Sequence, residues 1–233
     1  MSARAALAPL LAPPVVFAEE FGDPPHARLL PGEAAHVARC VPERRREFTT
    51  VRLCARRALA RLGERAVALP PGPGGAPRWP DGVVGSMTHC RGYRAAALAR
   101  RRDVAALGID AEPAEPLTDG LLETIALPGE RAHVRLLLRA RPSIAWDRLL
   151  FSAKEAVYKT AFTATGTRLG FDDAAITLDP VDGSFRARLA LPGITVGGRP
   201  RTVLDGRWSA ARALLLTAVT LPAAGPAPPA GRR

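Results

Sequence analysis

Gly82-Val83-Val84-Gly85-Ser86-Met87-Thr88, Tyr93-Arg94-Ala95-Ala96-Ala97-Leu98-Ala99 and Val104-Ala105-Ala106-Leu107-Gly108-Ile109-Asp110 are three apolar runs of strand length, set one after another. The breaks between them, His89-Cys90-Arg91-Gly92 and Arg100-Arg101-Arg102-Asp103, suit the turns of a meander. Upstream, Phe48, Val51, Ala55, Ala58, Leu59 and Leu62 fall on one arc of a helix, with Gly63 as its stop. Downstream, Pro142-Ser143 opens a second helical pattern running to about Phe162, with Trp146, Leu149, Leu150, Ala153 and Val157 on one face. Residues 174–178, 184–191 and 207–221 read as further strands. Helix then strands, twice over, predicts an α+β fold of two similar α/β halves, each a small sheet packed with helices and related by a pseudo-twofold. The halves are residues 1–106 and 107–221, and the Pro/Ala-rich residues 222–233 are expected to form a disordered tail.

A chain of 233 residues can bury a sizeable core, and 47% apolar with 24% charged residues is an ordinary globular balance. The net charge of +11 is not ordinary and implies a polyanionic partner: nucleic acid, an anionic membrane, a phosphorylated small molecule or an acidic protein. Only Lys154 and Lys159 among the 33 basic residues are lysine, a bias that a GC-rich genome produces, so charge alone weakly supports nucleic acid. Cys40, Cys54 and Cys90 form no metal or disulfide spacing, which fits a reducing, cytoplasmic compartment. Val16-Phe17-Ala18 resembles a signal-cleavage site, but Pro9, Pro13 and Pro14 interrupt the apolar stretch before it. The favoured reading there is a first strand over residues 15–18 behind a loose tail. No apolar run reaches the roughly 18 residues of a membrane span.

Chemistry concentrates in four places. Residues 39–65 hold nine arginines against three glutamates, with Arg45, Arg52 and Arg56 at the edge of the apolar arc, able to reach a ligand; a solvated basic face is the plainer alternative. Asp110 and Glu112 finish an apolar strand, and alternation puts both on one face about 7 Å apart. Either a hard cation such as magnesium sits between them or they lie in a polar loop beyond the strand. Helical spacing brings Ser152, Glu155 and Lys159 together, as a surface ion pair or as a phosphate-binding ammonium beside a carboxylate. Gly85-Ser86-Met87-Thr88-His89-Cys90 offers hydroxyls, an imidazole and backbone N–H groups at a turn able to hold a phosphate, although a lone turn histidine is more often structural. Walker loops, dinucleotide fingerprints, H-E-x-x-H and G-x-S-x-G do not occur.

Together, Gly85-Ser86-Met87-Thr88-His89-Cys90 with Gly92-Tyr93-Arg94, then Gly108-Ile109-Asp110-Ala111-Glu112-Pro113, then Phe151-Ser152-Ala153-Lys154-Glu155-Ala156-Val157-Tyr158-Lys159 resemble, in order and spacing, the phosphopantetheinyl transferase superfamily, in its monomeric siderophore- and polyketide-pathway type. The likeness extends upstream to Arg44 through Arg56 and to Trp79-Pro80-Asp81-Gly82. The resemblance implies coenzyme A as donor, magnesium, or manganese in its place, as cofactor, and a serine of an acyl or peptidyl carrier protein as acceptor, with 3′,5′-ADP released. It implies that Asp110, Glu112 and Glu155 hold the metal and that Glu155 deprotonates the serine. It implies that Arg44, Arg52, Ser86, Thr88, His89 and Lys159 bind coenzyme A, with His89 at the 3′-phosphate. Relatives often carry lysine in the loop before Trp79; here Pro71-Gly72-Pro73-Gly74-Gly75-Ala76-Pro77 has none, leaving Arg78 as the candidate substitute. The competing hypotheses are a basic nucleic-acid-binding module and an inactive regulatory relative. The aromatic content of 5% and the clustered acids weigh against the first, and the Asp110/Glu112/Glu155 set weighs against the second. The resemblance leaves no role for nucleic acid or membrane.

Overall fold

The computed structural model describes residues 5–190, 192–196 and 198–223. Its elements, in chain order, are β1 (Val16–Phe21), α1 (Pro42–Arg61), β2 (Val83–Cys90), β3 (Tyr93–Arg100), β4 (Val104–Pro113), α2 (Leu121–Ile125), α3 (Pro128–Ala140), α4 (Trp146–Thr165), β5 (Ala174–Leu178), β6 (Ser184–Leu189), β7 (Ile194–Val196), β8 (Arg199–Arg201), β9 (Val203–Ala211) and β10 (Leu214–Pro222), with short 3₁₀ turns between them. This is an α+β fold of two halves, each an antiparallel sheet backed by one long helix.

The first sheet has the order β1-β3-β2 and packs under α1, whose Cys54, Ala55, Ala58 and Leu59 meet Ala96 and Leu98 of β3. The second has the order β4-β10-β9-β6-β5 and packs under α4 through Trp146, Leu149, Leu150 and Val157. Residue 106, where the sequence divides the halves, lies inside β4. Gly108 allows β4 and α4 to touch: a Cβ there would lie 2.1 Å from Ala156 O and 2.4 Å from Thr160 Oγ1.

Four sequence expectations are corrected. His89 and Cys90 are not in a turn, because β2 runs through Cys90 and only Arg91-Gly92 turn the chain. The segment before β1 is not loose: Ala6, Leu7 and Leu10 are buried in one apolar cluster with residues of β3, β4 and β10, and the Glu19 carboxylate accepts the N–H groups of Ala6 and Leu7. Residues 207–221 form a hairpin whose turn residues, Arg212 and Ala213, both have positive φ. Of the proposed tail, Pro222 still belongs to β10 and Ala223 donates to Asp103 O; residues 224–233 lie outside the described residues.

Candidate active site

β2 and β4 run side by side where the sheets meet, but side chains rather than a backbone ladder join them. Ser86 Oγ accepts the Ile109 N–H at 3.0 Å, and Thr88 Oγ1 accepts the Ala111 N–H at 3.0 Å. Thr88 donates in turn to Asp110 Oδ1 at 3.2 Å. A cleft of about 230 Å³ opens over this seam, between α1 of one half and α4 of the other. Its walls include Arg44, Phe48 and Arg52 from α1, the Gly74–Pro77 backbone, Met87 and His89 from β2, and Tyr158, Lys159 and Phe162 from α4.

At one end Arg44 Nη1 donates to His89 Nε2, which leaves the ring proton on Nδ1, 3.5 Å from Glu47 Oε2. Burial, against the opposing charge of Glu47 and with help from Arg44, Lys159 and Arg94, keeps the imidazole below its usual pKa. Arg52 is buried: its guanidinium stacks 3.1 Å from the Phe48 ring centroid, and its Nε donates to Leu69 O. Burial, the largest influence, brings its pKa down to about 10.

At the other end Lys159 Nζ donates to Asp110 Oδ1 at 2.7 Å and to Ile109 O at 3.2 Å. Asp110 Oδ2 is one of two buried side-chain polar atoms among the described residues without a hydrogen-bond partner, a condition that costs roughly 1–3 kcal/mol. Glu112 is held by Arg148, Nη1 to Oε2 at 3.0 Å, and Arg148 also donates to the carbonyls of Glu115 and Pro116. Burial first, and the Asp110 charge second, raises the Glu112 pKa. Burial also raises Glu155, with Asp110 adding to the rise and Lys159 opposing it. Asp110 therefore acts electrostatically on both other carboxylates. Even so, among the described residues no three His, Cys, Asp or Glu side chains are gathered ready to hold a metal ion; Lys159 and Arg148 occupy two of the carboxylates instead. Glu155 faces a second cavity, of about 280 Å³, lined also by Tyr158, Leu169 and Phe171.

The residues singled out in the sequence thus divide. Arg44, Arg52, Ser86, His89 and Lys159 line the cleft, whereas Thr88 is absent from its walls. Ser152 is buried, with its Oγ 2.9 Å from Thr217 Oγ1, and does not join Glu155 and Lys159. Lys154 is internal: its Nζ meets Glu130 Oε2 at 2.9 Å, Phe171 O at 2.7 Å and Ala174 O at 2.8 Å, so one of the two rare lysines is structural. Arg78 lines a neighbouring groove with Trp79 and Arg101. Sequence reasoning missed Glu47, Arg148, Tyr158 and Phe162. Arg148 was legible, since it stands seven residues, two helical turns, before Glu155 and so shares its face.

Comparisons with known proteins identify relatives of this chain. Residues 32–99 match the 4′-phosphopantetheinyl transferase N-terminal domain, and residues 106–195 match the 4′-phosphopantetheinyl transferase superfamily. The 4′-phosphopantetheinyl transferase Svp of Streptomyces mobaraensis is 55% identical over 86% of this chain and 82% of its own length. The 4′-phosphopantetheinyl transferase PptT of Mycobacterium tuberculosis is 48% identical over 89% of this chain and 92% of its own. Enterobactin synthase component D of Salmonella typhi is more distant, 37% identical over 58% of this chain and 55% of its own. With two family models matching successive parts of the chain and relatives this similar along most of its length, the chain belongs to the 4′-phosphopantetheinyl transferase superfamily, as a phosphopantetheinyl transferase.

Proposed function

We propose that the enzyme moves the phosphopantetheine arm of coenzyme A to a serine of an acyl or peptidyl carrier protein and releases 3′,5′-ADP. The observation that carries this reading is the row of basic groups along one cleft, Arg44, Arg52, His89 and Lys159, with the Asp110 carboxylate behind the wall and bonded to Lys159 Nζ. The phosphates of coenzyme A are acceptors only, and the cleft supplies donors. The second cavity beside Glu155, with Leu169 and Phe171 in its wall, suits the less polar pantetheine arm.

In the transfer, the serine Oγ bonds to the β-phosphorus as the bond from that phosphorus to the bridging oxygen breaks. The electron pair leaves with 3′,5′-ADP, and the serine proton passes to Glu155. A raised pKa suits Glu155 to take it. The bare Oδ2 of Asp110 and its repulsion of Glu112 and Glu155 fit a divalent cation, which Asp110, Glu112 and Glu155 would hold. Magnesium or manganese bound there would neutralise charge on the pyrophosphate. Arg148 would have to share or release Glu112. The reading includes a monomeric, cytoplasmic enzyme; three free cysteines support the reducing compartment.

The test is mass spectrometry of a panel of apo carrier proteins incubated with coenzyme A and magnesium. At least one is expected to gain the mass of phosphopantetheine on its serine, and Asp110→Ala or Glu155→Ala is expected to lose more than about tenfold in rate, or ~1.4 kcal/mol of barrier. A panel left unmodified, or a folded Glu155→Ala enzyme at full rate, would sink the reading.

A further inference from the structure

Thr88 and His89 are neighbours on β2, and neighbours on a strand point to opposite faces. Met87 and His89 face α1 and the cleft, while Ser86, on the same side of the strand as Thr88, reaches the cleft only further along β2. Thr88 faces β4 and is 3% exposed. A threonine hydroxyl has one hydrogen to give, and Thr88 gives it to Asp110 Oδ1 while accepting from the Ala111 N–H. No donor remains for a phosphate oxygen. Lys159 Nζ donates to the same Oδ1, so one carboxylate oxygen takes two donors and the other, Oδ2, takes none. The β-branched side chain has little χ1 freedom, and the bond from Ala111 N–H pins the hydroxyl from the backbone of the strand that carries Asp110.

We propose that Thr88 is a positioning residue for the transfer reaction, fixing the Asp110 carboxylate with Oδ2 bare, and not a ligand to coenzyme A. The inference rests on the reading of Asp110 as a metal-holding carboxylate. It differs from what the linear motif implies, where Thr88 and His89 stand side by side as if they served one phosphate.

The experiment compares wild type, Thr88→Val and Thr88→Ser by calorimetric titration of Mn²⁺ at saturating coenzyme A, with the KM for coenzyme A and kcat measured alongside. Thr88→Val is expected to lose about tenfold or more in Mn²⁺ affinity, the usual effect of removing a group that orients a metal-bound side chain. Its KM for coenzyme A should stay within about twofold at saturating metal, and Thr88→Ser should recover the Mn²⁺ affinity. A raised KM for coenzyme A with Mn²⁺ affinity intact would make Thr88 a phosphate ligand, and no change in either would make it a spectator; both overturn the proposal. If Thr88→Val does not fold, Thr88→Cys takes its place, because the thiol is a weaker donor and the same split is required of it. Asp110→Asn in the otherwise wild-type chain separates the two levels: unaltered Mn²⁺ affinity there would defeat the metal reading itself, whatever Thr88 does.

Discussion

Lys159 Nζ and Asp110 Oδ1 lie 2.7 Å apart, so the second of the two lysines and the first of the clustered acids meet at one oxygen. The lysine neutralises a carboxylate that is almost wholly buried. Lys159→Met is therefore expected to destabilise the protein by roughly 1–3 kcal/mol in urea melts without divalent metal. Magnesium with coenzyme A should narrow that gap by supplying another cation to Asp110. An identical loss with and without both ligands would make Lys159 purely structural.

Glu155 gives a prediction in which activity and stability move in opposite directions. Its folded pKa is raised, chiefly by burial, so the folded protein holds that proton more tightly than the unfolded chain. The associated stability is present below the ordinary glutamate pKa and is lost as pH rises through the raised one. Glu155→Gln should then melt at or above the wild-type temperature at neutral pH, with the difference vanishing in acid, while transfer is abolished. A variant less stable than wild type at neutral pH would show that the carboxylate contributes favourably to the fold.

His89 is expected to bind its proton with the ligand. Its pKa is depressed by burial, with Arg44, Lys159 and Arg94 adding to the effect and Glu47 opposing it, so the free enzyme carries neutral imidazole at neutral pH. A phosphate beside the ring favours the charged form. Calorimetry of coenzyme A binding in buffers of different ionisation enthalpy should reveal proton uptake, larger for wild type than for His89→Gln. Uptake equal in the two proteins would remove His89 from the phosphate.

Gly108→Ala is the packing test. Its new methyl would meet backbone and hydroxyl atoms of α4 at separations no Cβ tolerates, so β4 must back away from the helix. A loss of about 1–3 kcal/mol, read from chemical denaturation, is the usual scale of such overpacking. Because Asp110 is two residues along the same strand, kcat should fall as well. Wild-type stability and rate together would mean that the strand and helix are not in contact there.

The apolar periods made the two long helices and the central strands legible, and the first and third motifs marked two walls of the cleft. Two misreadings concern where the chain turns. Polar residues at 89 and 90 look like a turn, yet they end a strand, with His89 in the wall of the cleft and the chain reversal left to Arg91-Gly92. Arg212-Ala213 does not look like a turn, because the hairpin conformation it adopts ordinarily selects glycine or asparagine. α3 was missed although Pro128 sits at its first position and Glu130 Oε2 accepts the Leu127 N–H, a start signal that is readable in sequence. The partners of Asp110 and Glu112 were not readable, since Thr88, Lys159 and Arg148 arrive from other elements and only the fold brings them close.

The sharing of one apolar cluster by Ala6, Leu7 and Leu10 with residues of β10 has a consequence for synthesis on the ribosome. That cluster is incomplete until Leu214, Leu216 and Ala218 have been translated, and β4, which carries Asp110, has β10 as its ladder partner in the second sheet. A nascent chain lacking β10 can form the local β2–β3 hairpin, but the strand bearing Asp110 still waits for a neighbour about a hundred residues away. The full β4 ladder thus waits until translation is nearly done, and a chain cut short before β10 leaves both an unpaired β4 edge and an incomplete apolar cluster, the two features that make an unfinished chain prone to aggregate.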